Sequence, residues 1–142
     1  MLKILVPLDG SECALRALAF AIQRAQEAPG SSLRLLTVHQ TPIVYGEIEV
    51  YVGKARTEQL AARHDELVLR AGEERIASAG VPYAMEALEG DPAEVIARRA
   101  MELGCDLIIM GTRGLGRIGN LVLGSIAIKV VHLTALPVTL VK

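Results

Sequence analysis

The apolar positions of this chain fall into two alternating rhythms. Leu2 to Leu8 is apolar except for Lys3 and closes on Pro7-Leu8. A run this short and continuous marks a parallel strand buried on both faces. Leu33 to Val38, Leu107 to Met110 and Pro137 to Val141 read as further strands; Leu107 to Met110 is wholly apolar and belongs near the sheet centre. Pro82 to Leu88 is more polar and belongs at an edge. Between the strands the period lengthens. Leu15, Leu18, Ala19 and Ile22 recur at i, i+3, i+4 and i+7 behind Ser11, a good N-cap, and predict an amphipathic helix ending near Ala28-Pro29-Gly30. A long helix is expected from about Lys54 to Ala79, stopped by Gly80. Asp91-Pro92-Ala93-Glu94 reads as a cap, a first-turn proline and a capping box. It opens a helix whose inner face is Ile96, Ala100 and Leu103 and whose stop is Gly104. Ser125 to Leu133 makes a last helix.

Strands and helices therefore alternate from end to end. That order predicts an α/β fold, with a parallel sheet covered on both faces and right-handed crossovers. No repeat, low-complexity tract or boundary divides it, so residues 1–142 read as a single domain with a sizeable core. In such sheets ligands bind beyond the carboxyl ends of the strands, where the strand order reverses. With the first and fourth strands as central neighbours, that crevice is lined by Pro7 to Ser11 and by Met110 to Ser125. Gln40 to Gly53 keeps no period. It is nevertheless unusually apolar for a loop, with Ile43, Val44, Tyr45, Ile48, Val50, Tyr51 and Val52.

Composition narrows the partners. The apolar share of 51% against 22% charged excludes a disordered chain. A net charge of −1 argues against nonspecific binding to DNA or anionic lipid. Aromatics make up 3% with no Trp, which leaves few platforms for stacking single-stranded bases. No uncharged apolar stretch is long enough to span a bilayer, and Met1 leads straight into a strand rather than a signal peptide. Cys13 and Cys105 lie far apart and read as unpaired packing thiols in a reducing, cytoplasmic setting.

Charge and glycine point to one segment. After Asp106 the chain has no Asp or Glu, while Arg113, Arg117, Lys129 and Lys142 are basic. Met110 to Ser125 reads MGTRGLGRIGNLVLGS, just after the fourth strand. Clustered glycines let backbone N–H groups approach an anion, and Ser125 adds a hydroxyl where a helix begins. Three spacings overlap there. Gly114-x-Gly116-x-x-Gly119 fits the dinucleotide signature, but it follows the wrong strand and no acid stands downstream to hold a ribose. Gly119-x4-Gly124-Ser125 is a P-loop without its phosphate-binding lysine. The third spacing, Gly111-x2-Gly114-x9-Gly124-Ser125, covers the widest span.

That third spacing resembles the nucleotide-binding motif of the universal stress protein family. The resemblance runs along the whole chain. It includes the opening KILVPLDGSECALRAL, Leu36 to His39, Gly90 to Ile96, Cys105 to Gly114 and Leu136-Pro137-Val138. It implies a three-layer α/β/α sandwich with five parallel strands in the order 3-2-1-4-5. It also implies an adenine nucleotide, ATP foremost, carried with Mg²⁺. By position, the adenine would lie near Pro7, Leu8 and Val38, and Asp9 would meet the ribose or a phosphate-bound metal. Met110, Gly111, Arg113, Gly114, Gly124, Ser125 and Ile126 would hold ribose and phosphates. A homodimer through the last strand is implied as well. The departures are mild: Leu8 stands where a smaller or β-branched residue is common, and Thr134-Ala135-Leu136 replaces a small or cysteine-containing turn.

Single residues add little chemistry of their own. His39, His64 and His132 show no metal-ligand spacing and read as structural, although His39 ends the second strand beside the expected site. No Ser/His/Asp order or paired carboxylates announce a nucleophile or base. The expected function is a nucleotide-binding regulatory module for stress response, with the 40–53 segment as the surface read by a protein partner. Two alternatives are a slow Mg²⁺-dependent ATPase or phosphotransferase, and a nucleotide-free interaction or chaperone-like protein.

Overall fold

The computed structural model describes residues 1–40, 54–114 and 123–142. The apolar stretch 41–53, with the partner surface expected there, lies outside these residues, as do Gly116, Arg117 and Gly119. The chain runs β1 (Lys3–Pro7), α1 (Glu12–Glu27), β2 (Ser32–His39), α2 (Lys54–Ile76), β3 (Tyr83–Glu89), α3 (Pro92–Glu102), β4 (Leu107–Gly111), α4 (Ser125–Leu133) and β5 (Val138–Val141). Element types match the expected alternation, with ends shifted by a few residues, the usual uncertainty of helix and strand limits.

The sheet has five strands in the order β3-β2-β1-β4-β5, and every pair is parallel. This is the order that the resemblance implies. β1 pairs Ile4 with Leu33 on one side and with Leu107 on the other. The strand order reverses between β1 and β4. β3 lies at an edge, as its polar character predicts, and no residue of it is fully buried.

Two apolar layers sandwich the sheet, set by the strand period of two. Ile4, Val6, Leu33, Leu35 and Ile109 face α1 and α2, while Leu5, Leu36, Ile108 and Met110 face α3 and α4. At an order of 2 kcal/mol for each large side chain fully buried, these layers supply the main driving force for folding.

The inner stripe of α1 differs from the sequence expectation. Ala14, Ala17, Leu18, Ala21 and Ala25 are buried, whereas Leu15 and Ile22 are half-buried and Ala19 is exposed. Small side chains bring the helix close to the sheet, and a search for large apolar residues misses such a stripe. α2 docks by a similar device. A Cβ on Gly72 would lie 2.5 Å from Leu8 Cδ1, so the helix lies against the residue just past β1 at a point where it has no side chain.

Candidate functional site

The carboxyl ends of β1 and β4 form the two central rims of the site. After β1 the chain turns sharply at Gly10, whose φ of +87° suits glycine. Asp9 Oδ1 accepts hydrogen bonds from Ser11 N at 2.9 Å and from Ser11 Oγ. Ser11 Oγ in turn accepts from Ala14 N at 3.1 Å and caps α1. The turn thus fixes the carboxylate and the helix start together, leaving Oδ2 facing Gly114. A Cβ on Gly114 would lie 2.6 Å from that oxygen.

The β4 rim is held just as closely. A Cβ on Gly111 would meet Cys13 Sγ at 2.9 Å and the Cys13 backbone carbon at 3.0 Å. Thr112 N donates to Val141 O at 2.9 Å, and Thr112 O accepts from Gly124 N at 2.6 Å. These two bonds tie the end of β5 to the start of α4. Cys13 donates its thiol hydrogen to the same Val141 O at 3.2 Å. Burial raises the Cys13 pKa, but the backbone N–H of Arg113, the Thr112 hydroxyl and N–H, and the Arg16 charge outweigh it, so the net shift is downward. Cys105 has no such donors, and burial pushes its thiol up. Both cysteines are buried and free.

α4 begins at Ser125 with Gly124 as its N-cap. Among the described residues no side chain caps it, and no acidic residue stands in its first turn. α1 and α3 begin differently: Ser11 and Asp91 cap them, and Glu12 and Glu94 follow. Among the described residues the first N–H groups of α4 therefore have no side-chain partner, and the positive end of the helix dipole lies behind them.

A cavity of about 470 Å³ opens between these rims. That volume falls within the common range for small-molecule sites. Pro7, Leu8 and Asp9 line it from β1, Val38 from β2, and Met110, Gly111, Arg113 and Gly114 from β4. Gly124, Ser125 and Ile126 line it from α4. All eleven expected site residues thus surround one space.

Other lining residues were not among those expected at the site. Leu36 and Thr37 come from β2, Pro92 and Ile96 from α3, and His64 from α2. Only their places in three dimensions bring them in; along the chain Pro92 and Ile96 read as helix start and core. His39 does not line the cavity. Its Nδ1 lies 2.6 Å from Asp65 Oδ2, and Glu89 Oε2 is 3.9 Å from its Nε2. Among the described residues no group of three His, Cys, Asp or Glu side chains is arranged to hold a metal ion, and no helix is long and apolar enough to cross a membrane.

Known proteins share this fold. Residues 1–142 match the model of the universal stress protein family. A universal stress protein of Thermus aquaticus is 41% identical over 140 residues, spanning 98% of this chain and 97% of its own length. UspA of Lactobacillus plantarum superposes with a TM-score of 0.85 at 25% identity, covering 99% of this chain and 97% of that one. A universal stress protein solved with cAMP gives 0.73 at 24% identity, covering 99% and 97% of the two chains. One from Archaeoglobus fulgidus solved with dAMP gives 0.72 at 23%, covering 100% and 98%. By sequence along its whole length and by fold, the chain belongs to the universal stress protein family.

Proposed function

We propose that this chain binds an adenine nucleotide in the cavity between β1 and β4, with ATP and Mg²⁺ as the preferred form. The observation that carries the reading is the open N-terminus of α4 at Gly124-Ser125, at the end of the glycine spacing. An anion placed there meets the N–H groups of the first helical turn and the helix dipole. Gly114 fits the same reading, because a side chain there would crowd the Asp9 carboxylate in the cradle. Asp9 Oδ2 is positioned for a ribose hydroxyl or for a phosphate-bound Mg²⁺. The cAMP and dAMP complexes of two proteins with this fold support adenine as the base.

Binding is favoured over fast turnover. Asp9 is the single carboxylate among the described residues that line the cavity, and it is already held by Ser11. The protein then acts as a regulatory module in the cytoplasm, in which nucleotide occupancy biases what a partner protein meets. A second copy pairs along β5, an edge strand that is half-buried in the single chain. Isothermal titration with ATP, AMP and cyclic AMP, with and without Mg²⁺, tests the reading. The expected result is a saturable ATP site tightened by Mg²⁺; no heat with any of the three overturns it.

A further inference from the structure

One stripe of α2 runs out of the core and into the cavity. Gly72, Val68 and His64 stand four residues apart and share a helix face. Gly72 rests on Leu8 near the end of β1. Val68, one turn on, lies 3.4 Å from where a Cβ on Gly10 would be. His64, the next turn, has passed the end of β1 and lines the cavity. Its neighbour Asp65 sets the height of the helix. That residue is 3% exposed and is bonded to His39 at the end of β2, with its Oδ1 buried and, among the described residues, without a hydrogen-bond partner.

His64 therefore overhangs the β1–β2 end of the cavity. Gly124-Ser125 occupies the β4 end. Pro92 and Ile96 approach from α3, on the opposite face of the sheet. The cavity thus carries an imidazole on its α2 side and apolar side chains on its α3 side. A flat heterocycle can lie with one face against an aromatic ring and the other against apolar side chains.

We propose that His64 is a base-binding residue, its imidazole lying flat against the purine ring while the phosphates reach α4. The inference rests on the nucleotide reading above and deepens it, since it assigns a wall of the base pocket to α2. ATP titration of the wild type, His64→Ala and His64→Phe tests it. His64 is exposed, so both variants should melt with the wild type. His64→Ala is expected to bind ATP about tenfold more weakly, the usual loss of one base–aromatic stack, and His64→Phe to recover the affinity. Wild-type affinity in the alanine variant overturns the proposal, as does a phenylalanine variant no better than alanine. A wild type that binds no ATP overturns the nucleotide reading itself, which separates the two failures.

Discussion

Asp9 and Gly114 meet at the reversal of the strand order, close enough that a Cβ on Gly114 would sit 2.6 Å from the Asp9 carboxylate. The carboxylate cannot simply swing aside, because Ser11 grips its other oxygen through both N–H and Oγ. The glycine spacing and the first turn are therefore one site rather than two neighbouring ones.

Gly114→Ala pushes Asp9 out of place. ATP affinity should fall about tenfold, whereas stability should stay within about 1 kcal/mol, since the strained group is a partly exposed side chain. Calorimetry beside urea unfolding separates the two. Unchanged affinity would show that Asp9 has no part in binding.

Asp9→Asn should keep an acceptor for Ser11 N, and with it the start of α1. Losing the charge should abolish the benefit of Mg²⁺ for ATP binding. Asp9→Ala removes the acceptor too and costs about 1 kcal/mol of stability in addition. The measurement is ATP affinity with Mg²⁺ and with EDTA. A full Mg²⁺ effect in Asp9→Asn rules out the metal role.

Gly111→Ala acts on folding rather than on the ligand. The new methyl would meet the Cys13 backbone carbon at 3.0 Å and carbonyl oxygen at 3.1 Å, so α1 itself must shift. A loss of about 1–3 kcal/mol is expected, as for other overpacked sites. Adding Cys13→Ala should not restore it, because backbone atoms remain in the way. Recovery in the double variant would place the conflict at the thiol alone.

The proposed dimer can be broken at the edge of β5. Pro137 O accepts from Ile108 of β4 and Val141 O from Thr112 just beyond it, so by strand alternation Leu140 turns its N–H outward. Leu140→Pro removes that outward donor and spares the bonds to β4. Sedimentation should show the dimer shifting to monomer with the far-ultraviolet dichroism kept. A wild type that sediments as a monomer ends the proposal.

Much of this was legible along the chain, for identifiable reasons. Strands such as Leu107 to Met110 are apolar on both faces, and parallel sheets demand that pattern. The two rims of the site are short contiguous segments, so their residues could be named from spacing and resemblance. The α2 wall was not legible. His64 enters the cavity because Asp65 bonds His39, a pairing between a strand end and a helix turn that no local pattern encodes. The alanine stripe of α1 was misplaced because close packing selects small residues there, whereas apolar periodicity weights large ones.

The place of β1 in the sheet has a consequence for how the protein is made. Lys3 N donates to Asp106 Oδ2 at 2.8 Å across 103 positions, and β4 closes the second side of β1 just beyond it. On the ribosome, Ile4, Leu5 and Val6 can find β2 early, yet one edge of the most buried strand stays open until residue 107 and its successors emerge. An unpaired apolar edge invites other chains. The nascent protein is thus most exposed to aggregation during the long interval in which α2, β3 and α3 are being synthesised.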